Sequence, residues 1–184
     1  IMIVVFDAFC TLVRPSGRLR AYRHLTEVSN GRLPFLTRNV EIDVFARELG
    51  KEHLLPLIRR ELEEEIAGFQ LFDDVAEVMR KLRGKGLKIG ICSNLAFEYG
   101  PAIRALLDQA DEHVFSFEVG AAKPDPQIYQ EVCSRFGVQP RQILFIGDGR
   151  RADLAGPQAF GMQARLIDRN AGQTLVRVLR ECNL

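Results

Sequence analysis

The sequence predicts an α/β protein built on a parallel β-sheet, and three observations support this prediction. Short, unbroken apolar runs recur along the chain, as in strands that are buried on both faces of a sheet. From about residue 72 onward these runs alternate with segments of helical spacing, which is typical of βαβ units. Several runs also end in Asp, Ser or Gly-Asp. Because ligands bind beyond the carboxyl ends of parallel strands, the same pattern predicts where a functional site lies.

The first element is a strand over residues 2–7, followed by a turn that contains Pro15, Ser16 and Gly17. Residues 18–70 then carry apolar side chains at helical spacing among many charges, with the clearest helices over residues 41–49 and 54–69. No strand pattern appears there, and the charge run at residues 61–65 is interpreted as a solvated helix face. This part of the chain is therefore expected to be a small helical insert.

The remainder predicts four more strands and five helices. Asp73 or Asp74 is a candidate N-cap for the first of these helices, and Pro101 and Pro126 stand at helix-starting positions. Gly137 is expected to end the helix that Pro126 begins. The predicted strands cover residues 87–92, 113–117, 143–146 and 163–167, and the predicted helices cover residues 74–82, 101–107, 126–136, 152–160 and 173–181.

Bulk composition narrows the possible partners. With 184 residues the chain is expected to form one domain, or one domain with an insertion. A net charge of +1 gives no bias toward nucleic acid or membranes. Apolar runs of about six residues fall far short of the roughly 20 that span a bilayer. The four cysteines form no CxxC pair, which favours free thiols in a reducing, cytoplasmic compartment.

Four short motifs carry the chemistry. Asp7 ends the first strand, Ser93 and Asn94 follow the second, Lys123 precedes a proline, and Gly147-Asp148 follows a third strand with Asp153 five residues later. At one edge of a sheet they would combine a carboxylate nucleophile, groups that hold an anion, and oxygen ligands for a hard cation such as Mg²⁺. Mg²⁺ and an ammonium group would offset the repulsion between a carboxylate and a phosphate.

These motifs, in this order, resemble those of the haloacid dehalogenase-like (HAD) hydrolase superfamily, in the branch with a helical cap after the first motif. The first motif is Asp7-Ala8-Phe9-Cys10-Thr11, and the others follow at Ser93, Lys123 and Gly147-Asp148 with Asp153. The resemblance implies a Rossmann-like three-layer core formed by residues 1–13 and 71–184. It also implies a small α-helical cap formed by residues 14–70.

The resemblance also implies a role for each motif residue. Asp7 would be the nucleophile, and Ser93 and Lys123 would hold the transferring group. Asp7, Asp148 and the backbone carbonyl of Phe9 would bind Mg²⁺, and Asp153 would support that site. Thr11 and Asn94 are candidate substrate contacts, although a loop hydrogen bond is an equally good interpretation of Asn94. Among other residues, Asp125 is interpreted as a helix cap and Tyr129 as part of the core packing. Four arginines are interpreted as a solvated face or, alternatively, as contacts for an anionic substrate: Arg14, Arg18, Arg20 and Arg23.

Two residues depart from the family pattern. Its phosphatases usually carry a general-acid Asp two residues after the nucleophile, where this chain has Phe9. Phe9 makes the first motif similar to that of the dehalogenases, whose halide leaving group needs no proton, but those enzymes usually lack the Gly-Asp that this chain keeps at Asp148. Cys10 stands where Gly is usual, and because Cys adopts only ordinary backbone angles cheaply, the loop is expected to differ slightly.

The leading hypothesis is therefore a Mg²⁺-dependent phosphatase for a small phosphorylated metabolite, with neither nucleic acid nor a membrane as partner. A 2-haloacid dehalogenase-like hydrolase and a non-catalytic binding protein remain alternatives. A receiver-type phosphoacceptor domain is less favoured, because the Asp148–Asp153 pair and the helical insert argue against it. The substrate and the oligomeric state stay open.

Overall fold

The computed structural model describes residues 3–26, 31 and 33–184. Its main sheet has five strands, all parallel, in the order β5-β4-β1-β6-β7. The strands are β1 (Ile3–Phe6), β4 (Lys88–Ser93), β5 (Glu112–Phe115), β6 (Ile143–Gly147) and β7 (Gln163–Leu166). A second, two-stranded sheet consists of β2 (Val13–Arg14) and β3 (Gln70–Leu71).

The central strand β1 positions the site. Phe6, its last residue, pairs with Ile91 of β4 on one side and with Ile146 of β6 on the other. The residues that follow these partners therefore emerge at one edge of the sheet. Asp7, Ser93 and Asp148 all lie just beyond this register, as expected from the sequence.

Helices cover both faces of the sheet. Alternate residues of the central strands join two apolar clusters: Val4 and Phe6 belong to one, and Ile3 and Val5 to the other. This arrangement is the expected three-layer α/β core, similar to a Rossmann fold. The helices are α1 (Arg23–Thr26), α2 (Leu33–Thr37), α3 (Ile42–Glu48), α4 (Leu55–Ala67), α5 (Val75–Gly84), α6 (Gly100–Leu106), α7 (Ser116–Val119), α8 (Pro126–Phe136), α9 (Gly156–Ala159) and α10 (Leu175–Glu181), with 3-10 turns at Glu52–Leu54, Phe97–Tyr99 and Pro140–Gln142.

Between Pro15 and Phe69 the described residues form helices α1–α4, although residues 27–30 and 32 of the expected insert lie outside the description. Residue 2 of the first predicted strand and residues 1–2 of the expected core lie outside it as well.

The prediction that residues 18–70 contain no strand was wrong at Gln70. Gln70 and Leu71 pair antiparallel with Arg14 and Val13. A strand of two residues is too short to produce an alternating pattern.

Two predicted element boundaries need correction. The strand predicted over residues 113–117 ends at Phe115, because the Ser116 side chain hydrogen-bonds both the N–H and the carbonyl of Leu95 and a helical turn begins there. The helix predicted over residues 152–160 is divided into a π-helical segment, Arg150–Ala155, and α9. Pro157 has no N–H to donate to the carbonyl four residues earlier, which favours the wider turn.

The candidate cap Asp74 precedes α5 but makes no capping bond to that helix. Its carboxylate instead pairs with Arg169 and accepts the N–H of Leu175. Asp125, in contrast, caps α8 by accepting the N–H of Gln127. None of the helices in the described part of the chain has the length and hydrophobicity that crossing a lipid bilayer requires.

Candidate active site

Asp7 is held at the end of β1 by a tightly wound loop. Its N–H donates to Ile146, and the N–H groups of Leu12 and Val13 both donate to the carbonyl of Ala8. The Asp7 side chain is almost fully buried. The loop thereby fixes the nucleophile candidate against the sheet while the chain reverses toward β2.

Cys10 lies at the tip of this loop with φ of 59°, in the left-handed region. The expectation that Cys would hold an ordinary backbone angle there was wrong. The N–H of Cys10 donates to Val13, which fixes the turn. The loop thus keeps the conformation that suits Gly, and the non-Gly residue bears the steric cost of it.

Lys123 lies between two buried carboxylates. Its Nζ donates to Asp7 Oδ1 at 2.8 Å and to Asp153 Oδ1 at 2.6 Å. Its backbone is fixed by Asn94, whose Oδ1 accepts the Lys123 N–H and whose Nδ2 donates to the Lys123 carbonyl. Asn94 therefore makes the loop hydrogen bonds that were one interpretation of this residue, and they occupy both ends of its amide.

The acidic motif brings Asp148 and Asp153 to Asp7. One carboxylate oxygen from each of the three residues lies within 4.8 Å of the others. Asp153 is buried and its second oxygen accepts the N–H of Gly149 at 2.8 Å, whereas Asp148 is exposed. Gly147 allows this packing because a Cβ there would collide with the Asp153 side chain. Three carboxylate oxygens beside an open face fit the ligand preference of Mg²⁺.

Burial and charge shift the pKa values of these groups. Burial raises the pKa of Asp7 to about 6, and Lys123 opposes that shift. Burial alone would lower the pKa of Lys123, but Asp7 and Asp153 outweigh it and raise that pKa. Burial is also the main reason that the pKa of Asp148 is raised, with Asp153 adding to it. The ammonium of Lys123 is therefore a permanent positive charge beside Asp7.

The other candidate residues lie around this centre. Ser93 is buried at the end of β4, and a hydrogen bond from its side chain helps to lower the pKa of Asp7. Thr11 is fully buried, and its hydroxyl has no hydrogen-bond partner within the described ranges. The Phe9 ring contacts Phe69 and Tyr99 edge-on, with centroid distances of 5.0 and 6.0 Å. Tyr129 is packed in the core, where its hydroxyl donates to the carbonyl of Ala152.

Two residues that make long-range hydrogen bonds near the site were not predicted from the sequence. Glu65, interpreted as part of a solvated face, is buried and accepts bonds from Ala21 N–H at 3.0 Å and Tyr99 Oη at 2.7 Å. Its spacing from the buried Leu62 could have indicated this. Arg169 donates twice to the carbonyl of Thr11 and so secures the loop after Asp7. No local pattern connects residues so far apart in sequence.

Comparisons with known proteins agree with this geometry. The haloacid dehalogenase-like hydrolase family matches residues 3–161. A phosphatase of Mycobacterium tuberculosis is 34% identical over 139 residues, which cover 73% of this chain and 61% of that protein. The (S)-2-haloacid dehalogenase 4A of Burkholderia cepacia is 35% identical over 101 residues, covering 53% of this chain and 43% of that protein. The chain thus spans less than two thirds of the length of either relative.

A HAD family enzyme from Bacteroides thetaiotaomicron, solved in complex with magnesium and inorganic phosphate, shares the fold. It superimposes with a TM-score of 0.73 at 16% identity, covering 97% of this chain and 98% of the other. The expected resemblance is therefore confirmed by the family match, by the relatives and by the fold. The chain belongs to the haloacid dehalogenase-like hydrolase family.

Proposed function

We propose that this hydrolase is a Mg²⁺-dependent phosphatase that acts on a small phosphorylated metabolite through an aspartyl-phosphate formed on Asp7. The observation that carries the proposal is the position of Lys123, whose ammonium bridges Asp7 and Asp153 beside Asp148. This arrangement supports the proposal, because a buried carboxylate, a fixed positive charge and hard oxygen ligands lie close together. The phosphatase among the relatives also supports it.

In the proposed reaction Asp7 Oδ attacks phosphorus, and the bond from phosphorus to the leaving-group oxygen breaks with its electron pair going to that oxygen. Lys123 and Ser93 bind the transferring phosphoryl oxygens, and Lys123 offsets their charge. Water then attacks the aspartyl-phosphate, which releases phosphate and restores Asp7. Asp7, Asp148 and the carbonyl of Phe9 would hold Mg²⁺, which supplies further neutralisation of phosphoryl charge.

Phe9 restricts which esters react quickly in this proposal. Its ring cannot donate a proton to the departing oxygen, and proton transfer typically contributes about 10²- to 10⁴-fold to a rate. Esters of acidic alcohols, which leave without a proton, are therefore the better substrates.

We also place the protein in the cytoplasm, since its four cysteines are free.

A second candidate function is hydrolysis of a carbon–halogen bond. The packing of Phe9 against Phe69 and Tyr99 favours it, because the ring forms an apolar wall next to the nucleophile. In that reaction Asp7 attacks carbon, and the halide leaves with the bonding electrons and needs no proton.

The experiment that separates the two functions is a panel of aryl phosphates, alkyl phosphates and 2-haloacids, each assayed with Mg²⁺ and with EDTA. A phosphatase is expected to hydrolyse the phosphate esters only with Mg²⁺. Release of halide that is unaffected by EDTA, without phosphate release, would replace the proposal by the second candidate.

A further inference from the structure

A chamber of about 310 Å³ lies between helices of the insert and the carboxyl edge of the sheet. Phe9 and Asn94, which follow Asp7 and Ser93 closely in sequence, line it from the side of the core. Tyr22 and Phe35 close it from the side of the insert, and Tyr99 contributes from the core. The chamber is therefore placed to receive the part of a substrate that departs from phosphorus.

The polar groups of this wall are already hydrogen-bonded. The Tyr22 hydroxyl donates to Glu98, and the Tyr99 hydroxyl donates to Glu65 at 2.7 Å. The Leu95 N–H donates to Ser116 Oγ at 3.0 Å. The side-chain amide of Asn94 hydrogen-bonds the backbone of Lys123 through both its nitrogen and its oxygen. What these residues present to a ligand is thus aromatic ring and aliphatic carbon.

One cation completes the lining. Arg23 is the single charged residue that lines the chamber within the described part of the chain, and it is exposed to solvent. It has no carboxylate partner among residues 3–26, 31 and 33–184. A guanidinium at the rim of an apolar chamber is suited to an anionic substituent on an otherwise apolar molecule.

We infer that the substrate is a phosphate monoester of an aromatic alcohol that carries a carboxylate or a similar anionic substituent. The inference rests on the proposed phosphatase function and specifies its substrate class. A flat ring can pack against Phe9, Tyr22 and Phe35. An aryl ester can also release its leaving group as a phenolate, so that Phe9 does not have to supply a proton. A sugar phosphate is disfavoured, because most of its hydroxyls would lose water against aromatic and aliphatic carbon, with the Arg23 guanidinium as the one charged donor among the described residues of the lining.

The first test fills the chamber. Leu36 lines it and lies on α2 together with Leu33, which is 60% exposed and does not line it. Leu36→Trp is expected to lower kcat/KM for 1-naphthyl phosphate at least about tenfold and to leave the value for acetyl phosphate, a small acyl phosphate whose leaving group is acetate, within about twofold. Leu33→Trp is the matched control and should change neither. Equal losses on both substrates, or no loss on either, would overturn the inference.

The second test addresses the charge of Arg23, an exposed residue whose replacement should leave the fold intact. Arg23→Gln is expected to lower kcat/KM for 4-carboxyphenyl phosphate about three- to tenfold relative to phenyl phosphate. Arg60→Gln, at an exposed arginine of α4 outside the chamber lining, is the control. An equal effect of Arg23→Gln on both esters would contradict the assigned role.

A binding measurement separates this inference from the proposed function. Calorimetry with 4-carboxybenzylphosphonate, which cannot be hydrolysed at its P–C bond, should give a dissociation constant that Arg23→Gln and Leu36→Trp both weaken. Such binding without hydrolysis of any phosphate ester would defeat the phosphatase and support the ligand class. Hydrolysis of acetyl phosphate with no preference for aryl over glycerol phosphate, and phosphonate binding unchanged in both variants, would defeat the ligand class alone.

Discussion

At the residue scale, the candidate site has more negative than positive charge. Asp7, Asp148 and Asp153 bring three carboxylates together, and Lys123 is the one ammonium that pairs with two of them. When all three are ionised, two negative charges remain, which is the charge that a divalent cation neutralises. A phosphate dianion would otherwise be repelled from this edge of the sheet.

Replacing Asp7 by Asn is expected to abolish hydrolysis, because an amide is a far weaker nucleophile than a carboxylate. The expected loss in kcat is about a thousandfold or more, measured by phosphate release at saturating substrate. Asp125→Asn, at the cap of α8, is the control and should keep its activity. More than a few per cent of the wild-type rate in Asp7→Asn would rule out the covalent route.

Asp148 gives a test of the metal site that does not depend on turnover. Asp148→Ala should lose Mg²⁺ binding in calorimetry yet remain folded, since this carboxylate is exposed and removing it leaves too few charged oxygens for a hard cation. Asp168→Ala, at another exposed carboxylate, should bind Mg²⁺ as the wild type does. Unchanged Mg²⁺ binding in Asp148→Ala would show that Mg²⁺ binds at another place on the protein.

In the proposed mechanism, Phe9 determines how the rate depends on the leaving group. Wild-type rates are expected to fall steeply as the pKa of the leaving alcohol rises, and Phe9→Asp should raise the rate on alkyl phosphates by up to about 10²- to 10⁴-fold. Repulsion between a new carboxylate and Asp7 will reduce that gain. Phe9→Leu, which removes the ring without adding a proton donor, should not improve alkyl esters. Equal wild-type rates on aryl and alkyl phosphates, with chemistry rate-limiting, would show that another residue donates the proton.

At the element scale, buried hydrogen bonds attach the helices of the insert to the sheet. Glu65 of α4 accepts from Tyr99, which follows β4, and Glu98 accepts from Tyr22 and from the N–H of Ile42. These bonds connect residues that are distant in sequence and that line or surround the chamber. They therefore set how closely α1, α3 and α4 approach the core.

Removing one of these bonds should have a measurable cost. Tyr99→Phe leaves the buried Glu65 with one donor fewer and is expected to lower the free energy of unfolding by about 1–3 kcal/mol in urea titrations. Glu65→Gln and the double variant complete a cycle, and the two effects should be clearly non-additive because the residues are in contact. Additive effects would mean that this hydrogen bond does not stabilise the fold.

Elements with strong local signals could be predicted from the sequence, and those set by distant contacts could not. As expected, helix α8 begins at Pro126 and ends before Gly137. Gly137 has a φ of 65°, which glycine adopts without steric cost because it lacks a Cβ. The turn at Ser116 depends on Leu95, and the burial of Glu65 depends on Tyr99. The convergence of Asp7, Lys123 and Asp153 could be expected from strand ends, but the bridging of two carboxylates by one ammonium is a matter of side-chain geometry.

At the scale of the whole molecule, two apolar clusters on opposite faces of the sheet hold the fold together. A buried histidine makes that stability depend on pH. His113 of β5 has its Nε2 3.0 Å from the carbonyl of Leu107, and burial, with Arg104 as a second cause, lowers its pKa below 6.5. The folded state therefore binds fewer protons at His113 than the unfolded state does in mildly acidic solution.

From this difference, the free energy of unfolding should decrease as the pH falls through and below about 6.5, the ordinary pKa of histidine. His113→Gln, which keeps a hydrogen-bond donor but cannot take up a proton, should lack this part of the pH dependence. Urea unfolding at a series of pH values measures it, with the exposed His53→Gln as the control. Parallel pH profiles for the wild type and His113→Gln would contradict the role given to this residue.

The division into a core of residues 1–13 and 71–184 and a cap of residues 14–70 stays a proposal, and the small sheet of β2 and β3 bears on it. Val13 pairs with Leu71 and Arg14 with Gln70, so the chain leaves the main sheet and returns to it at the same place. The two ends of the helical segment are thus closed by the fold itself. Because the entropy of closing a loop grows only slowly with its length, about 0.6 kcal/mol per doubling, residues could be added to an exposed turn of this segment, such as that at Gly50, at little entropic cost. The helical segment can therefore vary in length while the edge of the sheet that carries Asp7 keeps its register.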